Sequence, residues 1–523
     1  MKKYNPIQLE LYKGRFSAIA EEMGEVLRRV AYSPNIKERL DFSCAFFNTT
    51  GEIIAQAAHI PVHLGAMPIS VKTVMEQLTF EIGDVVILND PYSGGSHLPD
   101  ITIISPVFDD AELFGFVATR AHHADVGGMS PGSMPNSREI FQEGIIIPPV
   151  KLIEQGEINQ SIMRLILANV RTPNERTGDL HAQIAANQRG VERLIATIKR
   201  YGKTEVTYYM EGLLEYSEHT TRSLLADFPD GKYTFHDFMD NDGVDPEPIK
   251  IAVTITIEGD EAIVDFNGSS PQVKGSVNAV YAVTLSAVYY VFRALIGLDI
   301  PSNSGCVAPI TVIAPEGTIV NAQSPAAVVG GNVETSQRIT DVLLGALAQA
   351  CPDKIPAASQ GTMNNVTIGG WNPEYQQPFT YYETIGGGMG ASANQSGTSA
   401  IHSHMTNTRN TPIEALEYAY PFRMQRYAIR HGSGGKGKKR GGDGIIREME
   451  LLTESTVTLL TERRRFSPYG LNDGKVGQVG YNILIRNGER IELPAKTSLI
   501  FHAGDRLLIE TPGGGGYGTT KLL

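Results

Sequence analysis

The chain has 523 residues, of which 41% are hydrophobic and 20% charged, and its formal net charge at pH 7 is -12. This composition is typical of a globular protein with a large core and roughly two to four folding units. The negative charge disfavours a nucleic-acid partner, because phosphate binding needs a basic face, and no apolar run approaches the ~20 residues that cross a bilayer.

In the first 230 residues the sequence predicts one helix, then a series of short strands, and then two further helices. Asn5 is a predicted N-cap and Pro6 the first residue of a helix whose apolar spacing continues to Val30. Short strands separated by Gly/Pro turns follow to about residue 150. Two further helices are predicted before residue 229, the first of them ended by Gly202.

From residue 230 the chain alternates strands and helices and then turns mainly to strands. Apolar residues alternate strictly over 249–257, which predicts a strand with one buried face and a hairpin to 262–266. Helices are predicted over 277–298 and 336–351. After residue 434 the pattern indicates strands, among them 449–452, 481–486 and 506–510.

This order of elements predicts a mixed α/β (α+β) fold with several sheets. The helices are too irregularly spaced for one βαβ barrel or one doubly wound sheet, and no repeat of fixed period indicates a solenoid or propeller. We divide the chain into four regions: 1–150, mixed α/β; 151–229, helical; 230–430, central α/β; and 431–523, mainly β. The three cysteines are widely spaced and the N-terminus lacks a secretory apolar segment, so we expect free thiols and a cytoplasmic location.

The densest metal-ligand chemistry lies in the segments SHLPD at 96–100 and RAHHAD at 120–125. A predicted strand at 85–88 runs into turn residues, a second strand follows Asp100, and a third ends at His122. Adjacent strands lie ~5 Å apart, so His97, Asp100 and His122 can converge on one ion. Imidazole and carboxylate together suit Zn, Mn or Fe(II). The competing interpretation is that these side chains satisfy local backbone groups.

Other candidate segments carry weaker signals. His402 and His404 form a rival metal pair, although a substrate-facing or interface loop is the favoured interpretation. His59 and His63 would share a helical face, but Pro61 argues against a helix and favours packing. The glycine runs at 386–391 and 513–516 fit no nucleotide motif, so close backbone packing or a mobile loop is expected. The basic run at 434–442 is predicted to be a solvated flexible loop.

Seven motifs occur in the order found in the hydantoinase B family, which the chain resembles over nearly its whole length. That family includes B subunits of N-methylhydantoinase, the C-terminal half of 5-oxoprolinase, caprolactamase and a subunit of acetone carboxylase. The motifs are ERLDFSCA at 38–45, NDPYSGGSHLPD at 89–100, RAHHADVGG at 120–128, FQEG at 141–144, DFNGSSPQ at 265–272, GGNVE at 330–334 and GGGGYG at 513–518.

The resemblance implies a hydantoinase B-like fold and an ATP-dependent cyclic amide hydrolase. A hydantoinase A-like partner would bind ATP and phosphorylate the carbonyl oxygen of a hydantoin, 5-oxoproline or lactam ring, in an A2B2 assembly. This chain would then open the ring with water activated by one divalent metal, for which Zn or Mn is expected before Fe. The alternatives are a subunit of an ATP-dependent acetone or aryl-ketone carboxylase and a non-catalytic scaffold for the ATP-binding partner.

The resemblance also assigns roles to residues. His97, Asp100 and His122 match the positions that hold the metal in related carboxylases. Asp41 is the candidate acid that orients or deprotonates water. The candidates for a supporting role, with turn capping as the alternative for each, are Asp90, His123 and Asp125.

Overall fold

The structure is a computed structural model that describes residues 4–57, 60–297 and 299–519. Its helices are α1 (Pro6–Val30), α2 (Pro34–Lys37), α3 (Ala66–Gln77), α4 (Gln160–Ala168), α5 (Pro173–Tyr201), α6 (Lys203–Ala226), α7 (Tyr281–Ile296), α8 (Ser336–Ala350) and α9 (Ile413–Ala419).

The strands form four separate sheets. They are β1 (Phe42–Phe47), β2 (Ile53–Gln56), β3 (Val85–Leu88), β4 (Asp100–Asp109), β5 (Glu112–His122), β6 (Val150–Glu154), β7 (Glu157–Ile158), β8 (Gly231–Met239), β9 (Ile249–Glu258), β10 (Glu261–Asp265), β11 (Ile310–Ile313), β12 (Asn365–Asn372), β13 (Gln377–Glu383), β14 (Phe422–Arg430), β15 (Gly444–Leu451), β16 (Ser455–Leu460), β17 (Tyr481–Arg486), β18 (Glu489–Leu493), β19 (Lys496–Phe501) and β20 (Arg506–Glu510).

The first sheet has the antiparallel order β2-β1-β5-β4-β3-β6-β7. One face packs against α1, α5 and α6, where Phe16 meets Phe46. The opposite face packs against α3, where Val71 lies in one cluster with Phe116. Burial on both faces explains why β1 and β3 read as continuous apolar runs rather than alternating ones. The predicted N-cap of α1 is confirmed, since the Asn5 side chain accepts the Ile7 N–H.

Helix α8 packs against β8 and β9 of the second sheet, β11-β10-β9-β8, and α7 packs against α8. The predicted alternation in β9 is confirmed, because its isoleucines and Val253 are buried at every second position. Helix α7 is shorter than the predicted 277–298, and residue 298 lies outside the described residues. The third sheet (β13-β12-β16-β19) and the fourth (β14-β15-β20-β17-β18) pack together through one apolar cluster. The mixed, multi-sheet fold is therefore as predicted.

Glycine-rich segments at 386–391, 434–442, 470–477 and 513–516 pack side by side, and we call them the glycine bundle. The N–H of Gly388 donates to Pro512, that of Gly514 to Gly442, and that of Gly442 to Met389. A Cβ on Gly514 would lie 2.1 Å from the Met389 carbonyl oxygen, so only glycine allows this approach. The close packing expected for 386–391 and 513–516 is confirmed. The flexible loop predicted for 434–442 is wrong, because its glycines are mostly buried in this glycine bundle while its basic side chains point outward.

Cys44, Cys306 and Cys351 are free thiols, as predicted. Among the helices of the described ranges, none combines the length and apolar character needed to span a bilayer. The four-region division of the chain stays a prediction.

Candidate metal centre

The first sheet brings His97, Asp100 and His122 together at one end. Asp100 opens β4 and pairs in register with His122, the last residue of β5. His97 lies in the preceding turn, where its carbonyl accepts the Asp100 N–H at 3.1 Å. All three side chains are at most 2% exposed. The strand-and-loop arrangement predicted from the sequence is therefore present.

Three ligand-type atoms converge on one point between these residues. Asp100 Oδ1 lies 3.2 Å from His97 Nε2 and 3.3 Å from His122 Nδ1. One ligand atom of each residue lies within 4.8 Å of the other two. Within the described part of the chain, Asp100 Oδ1 and His122 Nε2 have no partner in hydrogen-bond geometry. Buried polar atoms without partners are rare and call for an explanation.

The second oxygen of Asp100 is held by two neighbours. Oδ2 accepts a hydrogen bond from Ser96 Oγ at 2.5 Å and lies 3.2 Å from His63 Nε2. His63 Nδ1 lies 2.8 Å from Ser43 Oγ, so the imidazole can donate to Asp100 from Nε2 while Nδ1 accepts. These contacts turn Oδ1 towards the two histidines.

The orientation of His97 is set from a distant part of the chain. Its Nδ1 lies 3.3 Å from the carbonyl oxygen of Val329, which can only accept. Nδ1 therefore carries the proton, and the lone pair of Nε2 faces Asp100 Oδ1 and Asn332 Nδ2, the latter at 3.1 Å. A histidine whose outer nitrogen donates to a carbonyl is the usual arrangement of a metal ligand.

The charges of the three groups suit a cation. Burial opposes ionisation of Asp100, but the neighbouring His97 and His63 imidazoles hold its pKa well below the usual value. Burial lowers the pKa of His122, so its ring is neutral at pH 7. Burial also acts on His97, but Asp100 outweighs it and raises the pKa of His97. An ionised carboxylate between two imidazoles, with the unpartnered Asp100 Oδ1 at their meeting point, fits a divalent transition metal.

Asp41 borders a small cavity beside this group. The cavity measures about 20 Å³, which is roughly the space of one water molecule, and Asp100, His122 and Tyr382 also line it. The backbone carbonyl of Asp41 accepts the His122 N–H at 3.0 Å. The preceding Leu40 has a φ of +58°, a conformation that costs energy for a branched residue and concentrates at functional sites.

Tyr382 lines the cavity, and Arg39 packs against Tyr382. The Tyr382 ring stacks on His122 with centroids 4.5 Å apart, and the Arg39 guanidinium lies 4.7 Å over the same tyrosine ring. Arg39 Nη1 donates to the Tyr382 carbonyl at 2.7 Å, and Nη2 lies 3.7 Å from Asp41 Oδ2. Arg39 is fully buried, so its charge acts on Asp41 in a medium that screens little.

Asp90, predicted as a supporting residue, acts as a cap. Its carboxylate accepts the Tyr92 N–H at 3.0 Å and the Ser93 hydroxyl at 2.8 Å, which shapes the turn Pro91–Ser93 ahead of His97. A helix-capping contact of this kind stabilises the loop that carries His97.

His123 and Asp125, the other predicted supporting residues, face away from the cavity. His123 Nε2 lies 2.9 Å from Gln183 Oε1, and burial lowers the pKa of His123 to about 4. Asp125 accepts hydrogen bonds from the Arg171 backbone at 2.6 Å and from its guanidinium at 2.8 Å. These contacts join the end of β5 to the segment before α5.

Several residues that contact the group escape prediction from the sequence. Pro61 favours simple packing for His63, yet a 3-10 turn over Pro61–His63 directs the His63 ring to Asp100. Asn332 lies in the motif at 330–334, and Glu143 in the motif at 141–144. Glu143 Oε1 accepts the N–H groups of Val328 and Val329, at 2.9 and 3.0 Å, and so fixes the carbonyl that holds His97. A role in the site could have been predicted for Asn332 and Glu143 from their places in these two motifs.

The rival metal pair does not form a site. His402 Nε2 lies 3.4 Å from Asn410 Oδ1, whereas His404 Nδ1 lies 3.4 Å from the Tyr290 hydroxyl. In the residues described, His97, Asp100 and His122 are the one group of three with metal-ligand spacing. His59, considered with His63, lies outside the described residues.

The family model for hydantoinase B/oxoprolinase matches residues 5–520 of the chain. Over 98% of its length, the chain is 46% identical to an uncharacterized protein of Methanocaldococcus jannaschii, covering 90% of that protein. It is 44% identical to 5-oxoprolinase 1 of Arabidopsis thaliana but spans 42% of that protein's length. It is also 34% identical to the putative B-type subunit of a D-/L-hydantoinase from a Pseudomonas species, covering 90% of it.

Two solved structures share the fold. The ATP-dependent caprolactamase from Pseudomonas jessenii aligns with a TM-score of 0.92 and 30% identity, over 99% of this chain and 92% of that one. An acetone carboxylase chain aligns with a TM-score of 0.91 and 20% identity, over 98% of this chain and 76% of that one. At that identity the second similarity concerns the fold alone.

Proposed function

This chain belongs to the hydantoinase B/oxoprolinase family, and we propose that it is the metal-dependent ring-opening component of an ATP-dependent cyclic amide hydrolase. One observation carries the proposal: His97 Nε2, Asp100 Oδ1 and His122 Nδ1 converge at one point, beside a small cavity that Asp41 lines together with Asp100 and His122. A non-catalytic scaffold would have no need of such an arrangement.

The three ligand residues would hold one divalent ion, with Zn or Mn expected before Fe. Such an ion supplies a water molecule of lowered pKa at neutral pH. Asp41 would act as the proton acceptor of the site through its carboxylate, because it lines the same cavity as Asp100 and His122. Arg39 Nη2 lies 3.7 Å from Asp41 Oδ2 and helps to hold this carboxylate in place. Tyr382 covers His122 and excludes bulk water.

ATP would be bound by a partner, a hydantoinase A-like chain, in an A2B2 assembly. The glycine runs of this chain are poor candidates for a phosphate cradle, because the N–H groups of Gly388 and Gly514 already donate to neighbouring carbonyls. The relatives support a divided activity: the Pseudomonas relative is named as one component of a hydantoinase, and the chain spans 42% of the Arabidopsis 5-oxoprolinase. The partner would activate the ring carbonyl by phosphorylation, and this chain would complete the hydrolysis.

Reconstitution tests the proposal. The purified chain is mixed with its cognate A-type partner, ATP and one cyclic amide at a time: 5-oxoproline, hydantoin or caprolactam. We expect ring-opened product only when both chains and ATP are present. A parallel reaction with acetone and labelled bicarbonate tests the carboxylase alternative. Label in an acidic product, without ring opening of any amide, would overturn the proposed function.

A further inference from the structure

The cavity beside the candidate metal centre is too small for a substrate. Its volume of about 20 Å³ admits roughly one water molecule, whereas a cyclic amide is several times larger. A surface groove of about 600 Å³ lies next to it, formed by residues 400–402 and 407–413 with Tyr427. Thr408 lines both the cavity and this groove, which we call the entrance groove. A wall that includes Thr408 therefore separates the two spaces.

Hydroxyl groups form that wall. Thr408 Oγ1 lies 2.9 Å from Thr384 Oγ1 and 3.2 Å from Thr406 Oγ1, and all three residues are at most 6% exposed. Arg39 Nη2 donates to Thr384 Oγ1 at 3.2 Å, which ties the wall to the residue beside Asp41. Each of these hydroxyl groups can donate or accept a hydrogen bond, so the wall is polar and carries no charge of its own.

The entrance groove has the chemistry of an anion site. Its lining contains one guanidinium, that of Arg409, together with an imidazole, amides and hydroxyls, and it contains no carboxylate. The absence of carboxylates from this lining contrasts with the net charge of the chain, which is -12. Arg409 is exposed, and in the part of the chain that the structure describes its guanidinium has no ion-pair or hydrogen-bond partner. Its backbone N–H donates to the Arg39 carbonyl at 3.0 Å, which fixes its place beside the wall.

A second group in the lining lacks a partner. Asn410 Nδ2 donates to Glu383 Oε1 and to the Thr384 carbonyl, at 2.8 and 2.7 Å, so its Oδ1 is the atom that faces His402. His402 Nε2 therefore carries the proton and Nδ1 the lone pair. That Nδ1 atom is buried without a donor among the described residues. A buried acceptor left unpaired costs free energy.

Resting on the proposed function, we propose that the entrance groove binds a cyclic amide bearing an anionic group, with Arg409 pairing that anion outside the threonine wall. The anion is either a ring carboxylate or the phosphate placed on the carbonyl oxygen, both of which a guanidinium binds through two parallel hydrogen bonds. Arg409 is thus a specificity residue of the ring-opening reaction rather than a metal or proton-transfer residue.

Calorimetry on the purified chain tests this proposal with three probes: 5-oxoproline, 2-pyrrolidinone and inorganic phosphate. The variants are Arg409→Gln and, as a matched control, Arg426→Gln, an exposed arginine on β14 that does not line the groove. We expect wild type and Arg426→Gln to bind 5-oxoproline or phosphate at least tenfold more tightly than Arg409→Gln does. Binding of 5-oxoproline alone identifies a ring carboxylate as the anion, and binding of phosphate identifies the phosphate. Weak binding of 2-pyrrolidinone to all three proteins is expected in either case.

Equal affinities of Arg409→Gln and wild type for every probe, or no binding of either anion to wild type, would overturn the proposal. Metal content is measured on the same samples and should be unchanged by Arg409→Gln. If Arg409→Gln and wild type have the same metal content and the same anion affinity, the groove proposal is wrong and the proposed function is unaffected. Anion binding lost in Arg409→Gln, in a protein that holds no metal, would instead count against the proposed function.

Discussion

Asp100 and His122 face each other directly across the antiparallel strands β4 and β5, with Oδ1 and Nδ1 3.3 Å apart. The pairing register sets this distance, and a slip of one residue would turn both side chains to the opposite face of the sheet. Both faces of the first sheet are buried, so the register is strongly specified. The candidate metal centre is therefore built on rigid backbone, and His97 completes it from the adjoining turn.

Asp41→Asn should abolish ring opening while leaving the fold intact. General-base help contributes roughly 10²–10⁴-fold, so product formation with the partner and ATP should fall by about that factor. The matched control is Asp230→Asn, an exposed carboxylate that accepts the Gly259 N–H at 2.8 Å outside the site, and this variant should keep both activity and stability. Product formation and melting temperature are measured on both variants. Near-wild-type product formation by Asp41→Asn would remove Asp41 from the site.

His63→Ala and Ser96→Ala should weaken metal binding without eliminating it. Both residues hold Asp100 Oδ2, so their loss lets the carboxylate rotate away from the histidines. Removal of such supporting contacts typically lowers metal affinity by about 10–100-fold. Competition with a chelator of known affinity measures the effect. Wild-type affinity in both variants would show that Asp100 needs no support from these neighbours.

Glu334→Gln should make stability less sensitive to alkaline pH. Burial raises the pKa of Glu334 from its ordinary 4.5 to about 8. The folded protein thus binds more protons at this group than the unfolded chain does between those values, and stability falls as pH rises through that window. The loss is on the order of a few kcal/mol, and a neutral amide escapes it. Melting temperatures at pH 5 and pH 8.5 should therefore differ less in the variant than in wild type.

Gly514→Ala should destabilise the glycine bundle. Its Cβ would lie 2.1 Å from a carbonyl oxygen, which forces the packed segments apart. Gly14→Ala is the control, because Gly14 lies within α1 and nothing would come within 4 Å of its Cβ. That substitution should stabilise the protein by about 0.5–1 kcal/mol through helix propensity. A melting temperature of Gly514→Ala equal to that of wild type would contradict the packing described for the bundle.

The features that could be predicted from the sequence are those that depend on residues close together in the chain. Asp100 and His122 lie at the ends of two strands joined by a short hairpin, so the apolar runs and the turn between them were enough to place the two residues close together. The alternation in β9 and the Asn5 cap of α1 were predictable for the same reason. The basic run at 434–442 was mispredicted because its composition is that of a flexible linker, whereas its glycines are fixed by backbone contacts with distant segments.

The remaining contacts of the site depend on long-range packing. Val329 and Asn332 reach His97 from more than 230 positions along the chain, and Tyr382 reaches His122 from β13 of the third sheet. No periodicity links segments so far apart. The motif at 330–334 marked that segment without indicating that it would meet His97.

Metal analysis is the most direct test of whether His97, Asp100 and His122 hold a metal ion. Wild type, His97→Ala, Asp100→Asn and His122→Ala are purified alike and their Zn, Mn and Fe contents measured, with His219→Ala, an exposed histidine on α6, as the control. We expect one divalent ion per chain in wild type and in His219→Ala. We expect the other three variants to lose that ion and to keep the fold, as measured by circular dichroism. Equal metal content in all five proteins would contradict the assignment of the metal centre.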